Sequence, residues 1–197
     1  MPFTIQVCLN KAMENDSLVF SFHSENLKFE YGSWLKQVPI KTGIYFVITK
    51  ANEISENLSG INDLVLTRKY GENKGPIITK RYKKEELLKK FNNDTFRVMN
   101  GNYRILYIEK AGSKEKPEPS LRVRLTQFLK TLYENEITHM GGCAIHQLVD
   151  IEMELVYVTM EQLGLPGKDP EHLEKELLKE YKKGNQNNKY PFANWRL

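Results

Sequence analysis

Two long apolar runs dominate the hydrophobic pattern of the chain, and both are rich in β-branched and aromatic residues. The first covers residues 43–49 (GIYFVIT) and the second covers residues 103–109 (YRILYIE). Runs of this length and composition are typical of buried strands. The pattern therefore predicts two strands of a covered sheet, and it predicts a further strand at residues 154–160.

Helical periodicity appears in two segments of the middle of the chain. Residues 83–91 (KKEELLKKF) have the composition of a short, amphipathic and strongly basic helix. From Leu121 onward, apolar residues recur at helical spacing, and Ser120 stands where an N-cap residue is expected. We therefore expect one helix at 83–91 and a longer one that begins at Leu121.

The last helix is predicted to begin at Asp169-Pro170 and to end at Gly184. Its apolar stripe consists of Leu173, Leu177, Leu178 and Tyr181. Glu174 projects inside this stripe, where a carboxylate costs several kcal/mol unless a cation, a metal ion or hydrogen bonds receive it. Glu174 is thus a carboxylate that a cation, a metal ion or hydrogen bonds must receive, and the simpler alternatives are a partly exposed glutamate at the edge of the stripe or one paired to an Arg or Lys.

The remaining segments predict short strands, loops and turns. Residues 1–38 contain three β-prone runs, which suit strands packed beside a core: Phe3–Leu9, Leu18–Phe22 and Leu27–Tyr31. Residues 51–80 are polar and turn-rich, with glycines at Gly60, Gly71 and Gly75-Pro76. We expect a loop at residues 110–119 and a turn at Gly141-Gly142.

Composition and charge favour a polyanionic partner without requiring one. The 197 residues suffice for one well-filled domain, and the formal net charge is +4. Between residues 60 and 104 there are eleven Lys/Arg and five Asp/Glu, so this part of the chain would attract a phosphate backbone.

Cysteine usage and hydropathy predict a protein of a reducing cytoplasm. Cys8 and Cys143 lack CxxC spacing and a paired framework. The N-terminus has no signal-peptide pattern, and no stretch approaches the about 18 apolar residues of a membrane span. The abundance of Lys, Asn and Ile indicates an AT-rich bacterial genome or mobile element.

His139, Cys143 and His146 suggest a zinc site as an alternative, although they offer only three ligands and their spacing matches no common zinc finger.

Four motifs occur in a fixed order along these elements. Gly43-Ile44-Tyr45 lies in the first run, and Tyr107-Ile108-Glu109-Lys110-Ala111 closes the second. Leu121-Arg122-Val123-Arg124-Leu125 lies on the first long helix, and Glu174 lies on the last. Together, over most of residues 39–194, they resemble the GIY-YIG nuclease superfamily. The Lys-Ala pair and the helix after it are closest to its type II restriction-endonuclease branch.

The resemblance implies an α+β fold, with a small central antiparallel sheet of about three strands flanked by helices. The chain would form a single domain over residues 1–197. Residues 1–38 would be an N-terminal extension with β elements, and residues 51–102 would be a large basic insertion between the two tyrosine motifs.

The resemblance also assigns roles to the two tyrosines and a lysine. Tyr45 would be the general base, or the group that orients the attacking water, and Tyr107 would donate to the phosphate. Lys110 would stabilise a phenolate or the charge of the five-coordinate phosphorus. Nearby cations such as Lys110, with a metal-bound phosphate, would lower the tyrosine pKa from its ordinary value near about 10.

Helical geometry does not choose between Arg122 and Arg124, which flank the apolar stripe on opposite sides. The family pattern places the catalytic arginine at Arg124, whose guanidinium can donate two hydrogen bonds to a phosphate. Glu174 resembles the single metal-binding glutamate, which would hold one Mg²⁺ or Mn²⁺ together with waters and phosphate oxygens. Asn194 resembles an asparagine near the C-terminus that helps to hold the site together.

Two residues depart from the family pattern. Phe128 stands where the restriction branch usually carries a histidine, and His139 or His146 could supply the missing function. Glu109 replaces the last glycine of the second motif. A carboxylate near a phosphate is unfavourable unless it points away or joins the metal.

The resemblance implies a metal-dependent hydrolase, an endonuclease that cleaves phosphodiester bonds of double-stranded DNA. It further implies a restriction-type enzyme that belongs to a restriction system. A homodimer is expected as well, because such enzymes often cut palindromic sites as symmetric pairs. The basic insertion would contact or clamp DNA, although a solvated surface excursion is the alternative. The predicted DNA contacts are Lys80, Arg81, Lys83, Lys84 and Arg122.

Two other hypotheses remain open at the level of sequence. A catalytically impaired DNA-binding protein could retain the fold, because Phe128 and Glu109 depart from the pattern. An unrelated α+β protein could carry the motif by coincidence, and it would place Tyr45, Tyr107, Arg124 and Glu174 far apart.

Overall fold

The computed structural model describes residues 3–14, 19–23, 31–53, 63–68, 78–116, 118–133, 139–145, 148 and 151–194. Its helices are α1 (Ile5–Met13), α2 (Tyr31–Gln37), α3 (Lys84–Asn92), α4 (Leu121–Tyr133), α5 (Met140–Ile145) and α6 (Pro170–Gly184). Its strands are β1 (Val19–His23), β2 (Gly43–Lys50), β3 (Asp63–Arg68), β4 (Ile78–Lys83), β5 (Tyr103–Ala111) and β6 (Glu152–Thr159). The fold is α+β, as predicted.

The central sheet is antiparallel, with four strands in the order β1-β6-β2-β5. The three predicted strands at 43–49, 103–109 and 154–160 are confirmed as β2, β5 and β6. Tyr45 on β2 lies opposite Glu109 on β5 and opposite Tyr157 on β6. A register shift after Val47 interrupts the β2–β5 pairing. The first tyrosine motif therefore occupies an inner strand, directly beside the second motif.

Hydrophobic clusters cover both faces of this sheet. Tyr45 and Val47 belong to a cluster that includes α4, whereas Ile44 and Phe46 belong to a cluster that includes α1 and α6. Alternate residues of a strand point to opposite faces, so the continuous apolar run of β2 is explained by burial on both sides. Helices α4 and α6 accordingly pack against opposite faces of the sheet.

The strand predicted at Phe3–Leu9 is wrong, because this segment forms α1. Ile5, Cys8, Leu9 and Ala12 are all fully buried, and their spacing is helical rather than alternating. Thr4 caps the helix by accepting from the Val7 N–H, and Glu180 of α6 accepts from the Ile5 N–H at 2.8 Å. These contacts satisfy N–H groups that a helix start leaves unpaired.

Of the other N-terminal runs, Leu18–Phe22 is confirmed as β1. Most of Leu27–Tyr31 lies outside the described residues, and Tyr31 begins helix α2 rather than ending a strand. Strand β1 pairs with β6 and extends the sheet beyond the three strands expected from the resemblance. The N-terminal segment therefore contributes both a strand and helices to the core.

The predicted turn at Gly141-Gly142 is also wrong, since both glycines lie in helix α5. A Cβ atom at Gly141 would overlap the ring of Tyr107, and one at Gly142 would lie 3.1 Å from the Thr131 Cβ. The glycines therefore serve close packing of α5 on Tyr107 and α4 rather than a change of chain direction.

Two boundaries around α4 differ from prediction. Strand β5 continues to Ala111, so the predicted loop at 110–119 begins later. The predicted side-chain cap at Ser120 is not formed: among the described residues its buried Oγ has no hydrogen-bond partner. The helix start is instead held through its backbone, because Leu121 N donates to Lys41 O at 2.9 Å.

The insertion contains more regular structure than its polar composition predicts. Strands β3 and β4 pair with each other in antiparallel register, and the basic helix is confirmed as α3. The predicted turn glycines Gly60, Gly71 and Gly75-Pro76 lie outside the described residues. Among the residues that the structure describes, no helix is long and apolar enough to cross a membrane.

Two cations of the basic stretch 60–104 have structural roles: Lys90 of the insertion and Arg104 of β5. The Lys90 Nζ atom donates to the carbonyl oxygens of Pro191 and Phe192 at 2.9 and 2.8 Å. Arg104 is buried over the Phe91 ring, 4.2 Å from its centroid, and donates to the Phe91 carbonyl. The count of basic residues thus overstates the charge available to a nucleic acid.

We predict that Gly43→Ala destabilises the protein. Its Cβ would overlap the Val158 carbonyl and lie 2.7 Å from Leu121 Cδ1, and such overpacking costs about 1–3 kcal/mol. Gly32→Ala is the control, because its Cβ has no neighbour within 4 Å and alanine favours helix α2. Urea unfolding measures both free energies. Equal stability of the two variants would contradict the close approach at Gly43.

Candidate active site

Four aromatic rings from four parts of the chain form one cluster. Tyr45 and Tyr107 have ring centroids 5.9 Å apart, and Phe128 of α4 lies 6.2 Å from each. His139, just before α5, completes the cluster at 5.3 Å from Phe128. Tyr45 is fully buried and Tyr107 is 5% exposed. The two predicted tyrosines therefore come together, beneath the surface rather than along an open cleft.

Glu109 connects this aromatic cluster to Arg124. The Tyr107 hydroxyl donates to Glu109 Oε2, and Arg124 Nη2 donates to Glu109 Oε1 at 2.8 Å. Arg124 also donates to Gln127 Oε1 at 3.2 Å. The side chains of Arg124 and Glu109 are 26% and 18% exposed. They form the solvent-facing rim of a site whose phenol groups lie underneath, which suits a substrate too large to enter a pocket.

His139 is held in one tautomer by its two neighbours. Its Nδ1 atom accepts from the Gly142 N–H at 3.1 Å, and its Nε2 atom lies 2.7 Å from the Tyr45 hydroxyl oxygen. Burial lowers the pKa of His139 to about 4, so the ring is neutral near pH 7. A neutral ring that accepts at Nδ1 carries its proton on Nε2, and His139 therefore donates to Tyr45.

The position of His139 bears on two expectations from the sequence. It packs on Phe128, the residue that replaces the family histidine, so an imidazole is present in the cluster although it comes from a different element. Both ring nitrogens are engaged, which leaves neither free for the alternative zinc site. Burial raises the pKa of Cys143 to about 11, which keeps it a thiol, and His146 lies outside the described residues.

In the free protein the pKa of both tyrosines lies above its ordinary value, and the lowering expected from Lys110 together with a metal-bound phosphate stays a prediction. Burial is the main reason that the pKa of Tyr45 and of Tyr107 lies well above 10, and the charge of Glu109 raises both further. Arg124 opposes this shift only in part. The Lys110 Nζ atom pairs with Glu171 Oε2 of α6 at 3.0 Å. Both tyrosines are protonated phenols at neutral pH.

Asn194 fixes the backbone of β5 between Tyr107 and Glu109. Its Nδ2 donates to Ile108 O at 2.7 Å, and its Oδ1 accepts from Ile108 N at 2.9 Å. Ala193 N adds a hydrogen bond to Leu106 O at 2.8 Å. The C-terminal segment thus satisfies backbone groups along β5, and this geometry agrees with the supporting role expected for Asn194.

Glu174 is 6% exposed and lies among buried leucines of α6, as its place in the apolar stripe predicts. Burial and Glu109 are the larger causes of the raised pKa of Tyr45, and the charge of Glu174 adds to them, although α6 covers the opposite face of the sheet. The described residues contain no group of three or more potential metal ligands. The donor chemistry fits Mg²⁺ bound through one carboxylate, waters and phosphate oxygens, which needs no such group.

The predicted DNA contacts have different surroundings. Arg122 donates from Nε to Val38 O at 2.7 Å and from Nη2 to Lys36 O at 3.0 Å, so it anchors the end of α2. Lys83 is exposed and Lys84 is partly buried at the start of α3. Lys80 and Arg81 lie on β4, and their side chains are outside the described part of the chain.

A cavity of about 710 Å³ lies apart from this cluster. It lies at the start of α6 and is lined by Phe3, Lys114, Met160, Leu165, Pro166, Gly167, Lys168, Asp169, His172, Leu173 and Glu176. None of the four predicted residues Tyr45, Tyr107, Arg124 and Glu174 lines it. The convergence of side chains, rather than cavity size, therefore identifies the candidate active site.

Comparison with protein-family models, curated proteins and solved structures finds no match to the chain. The functional argument therefore depends on the motifs and on the geometry. Sequence reasoning located Tyr45, Tyr107 and Arg124, which the structure brings together. Sequence reasoning missed the central position of Glu109. Strand alternation could have indicated it, because Glu109 is two residues after Tyr107 and alternate residues of a strand point to the same face.

We predict that His139 makes stability depend on pH between 6.5 and about 4. The unfolded histidine protonates near 6.5 but the native one only near 4, so stability is full above 6.5 and falls as the pH drops through this window. The loss amounts to about 3 kcal/mol. Glu109 and Arg124 face the ring with opposite effects on its pKa, and both are present in every variant compared.

Urea unfolding from pH 7 to pH 4 measures this dependence. His139→Gln should lack the component, because an amide can hydrogen bond to Tyr45 without taking up a proton. His172→Gln is the control at an exposed histidine of α6, and it should retain the wild-type profile. Identical pH profiles for wild type and His139→Gln would refute the shift.

Proposed function

We propose that this chain is a metal-dependent DNA endonuclease of the GIY-YIG type that hydrolyses phosphodiester bonds in double-stranded DNA. The observation that supports the proposal is the convergence of Tyr45, Tyr107 and Arg124, which come from β2, β5 and α4. Two hydroxyl groups and a guanidinium are suited to bind a phosphodiester and to direct a water molecule at it. The motifs favour a restriction-type enzyme of the cytoplasm.

In the proposed reaction, water attacks phosphorus in line with the departing 3′ oxygen. One P–O bond forms while the P–O3′ bond breaks, and the products are a 5′ phosphate and a 3′ hydroxyl. The proton that the water loses balances the proton that the 3′ oxygen gains. Arg124 and Tyr107 donate to the non-bridging oxygens, where negative charge accumulates as the water adds.

Tyr45 is proposed to orient the attacking water rather than to act as a base in the free protein. Its pKa is raised by burial, and His139 holds its oxygen at 2.7 Å, so the hydroxyl has a fixed position. Glu174 would hold one Mg²⁺ or Mn²⁺. Such an ion would supply positive charge that stabilises the transition state and would offset the charge of Glu174.

DNA would approach from the side of the exposed Arg124 and Glu109. The insertion supplies cations for the phosphate backbone, with Lys83 at the start of α3 exposed to solvent. Cleavage of both strands at a symmetric site would require two copies of the chain, so we include a homodimer in the proposal.

A DNA-binding protein with impaired cleavage is the second candidate. The observation in its favour is that Glu109 occupies both donors proposed for the phosphate, the Tyr107 hydroxyl and Arg124 Nη2. Such a protein would bind duplex DNA through the insertion and would not cleave it in the presence of Mg²⁺ or Mn²⁺.

We predict that the protein nicks supercoiled plasmid DNA with Mg²⁺ or Mn²⁺, and that EDTA abolishes the activity. Arg124→Lys should lower the rate by about 10²–10³-fold, because one preorganised donor to the transition state is lost. Glu174→Gln should abolish metal-dependent cleavage, whereas Glu176→Gln, at an exposed carboxylate of α6 paired with Lys179, should leave it unchanged.

Gel analysis of nicked and linear plasmid over time measures these rates. Cleavage by Glu174→Gln at the wild-type rate would exclude the proposed metal ligand. Plasmid binding without cleavage by the wild-type protein under any metal condition would instead support the second candidate.

A further inference from the structure

We propose that the Glu109 carboxylate is an internal anion that occupies the phosphate-binding position, and that a substrate phosphate must displace it from Arg124 and Tyr107. The identity of the ligand as a phosphodiester rests on the proposed function. The existence of an anion-binding position does not, because it follows from the contacts of Glu109 itself.

The two oxygens of Glu109 take one donor each. Oε2 accepts from the Tyr107 hydroxyl, and Oε1 accepts from Arg124 Nη2 at 2.8 Å. A phosphate presents a similar pair of oxygens to an arginine and a neighbouring donor. The same donors cannot bind both anions fully, and two anions side by side repel each other. Binding of a phosphate at this position therefore requires exchange.

The surroundings of Glu109 allow this exchange by a side-chain movement. Its side chain and that of Arg124 are partly exposed at the rim, where solvent weakens an ion pair. The backbone beside it is fixed, because Asn194 forms two hydrogen bonds with Ile108. Rotation of Glu109 toward solvent would thus open Arg124 and Tyr107 without disturbing β5.

The charge balance favours exchange over an empty site. Arg124 has Gln127 as its other described hydrogen-bond partner, which is neutral, so removal of Glu109 leaves its charge uncompensated. A partly buried cation without a counter-ion attracts an anion. Glu109 therefore holds Arg124 ready for an anion and competes with that anion at the same time.

Replacement of Glu109 should strengthen phosphate binding. We expect Glu109→Ala to bind inorganic phosphate at least about tenfold more tightly than wild type, since a competing charged hydrogen bond is removed. Glu109→Gln retains the shape but not the charge, and it should show a smaller gain in the same direction. Isothermal titration with inorganic phosphate at low ionic strength, without metal, measures both affinities.

Two further variants make the test specific. Glu161→Gln removes a carboxylate from an exposed ion pair, with Lys41 at 2.8 Å, and changes the net charge equally. It should bind phosphate as the wild type does. Arg124→Ala combined with Glu109→Ala should lose the gain, because the receiving guanidinium is absent. If Glu109→Ala does not fold, judged by circular dichroism, Glu109→Gln carries the comparison.

Phosphate affinities that do not differ between the Glu109 variants and Glu161→Gln would overturn the inference. Retention of the gain without Arg124 would also overturn it, because binding would then occur elsewhere. Plasmid cleavage by the same proteins separates this result from the proposed function. If the Glu109 variants bind phosphate more tightly but no protein cleaves the plasmid, the anion-binding position is supported and the nuclease proposal is refuted. If the wild type cleaves the plasmid but the Glu109 variants show no gain in phosphate binding, the nuclease proposal is supported and the inference about Glu109 is refuted.

Discussion

The ion pair between Glu109 and Arg124 is the interaction on which the candidate site depends. It joins the edge strand β5 to helix α4 and neutralises a cation that lies above two buried phenols. The same carboxylate accepts from the Tyr107 hydroxyl, and its charge adds to burial in raising the pKa of both tyrosines. Phenols, imidazole and guanidinium are thus held in one hydrogen-bonded arrangement that solvent reaches only at its rim.

The predicted site residues lie on both faces of the sheet, because different helices cover the two faces. Helix α4 supplies Arg124 and Phe128 on the face that carries Tyr45, whereas α6 supplies Glu174 from the other side. Strand β5 lies between the two helices at the sheet edge, and the segment that ends in Asn194 pairs with its backbone. Small shifts of β5 would therefore alter contacts on both sides at once.

Much of this arrangement was predictable from local patterns. The runs at β2, β5 and β6, the helical periodicity of α4 and α6, and the burial of Glu174 all followed from residue spacing along one element. The errors have a common physical origin. The α1 segment carries β-prone residues, but its start is held as a helix by a contact with the distant α6. The glycines of α5 serve close packing on Tyr107 and α4 rather than a turn, and this packing is not visible in the local sequence. The joint position of Glu109 and His139 depends on strand pairing and on a contact across the chain, which spacing alone does not encode.

The two hydrogen bonds that Lys90 donates to the C-terminal segment have a consequence for the architecture of the insertion. The Lys90 amine joins α3 to the carbonyls of Pro191 and Phe192, the two residues that precede the segment pinned to β5. Desolvation lowers its pKa to about 7, as expected for an amine inside the protein rather than on its surface. The insertion is consequently not a detachable module, because excision of residues 51–102 would remove both Lys90 contacts and leave the C-terminal segment held to β5 only through Ala193 and Asn194 among the contacts described. Trimming of the insertion must therefore preserve α3.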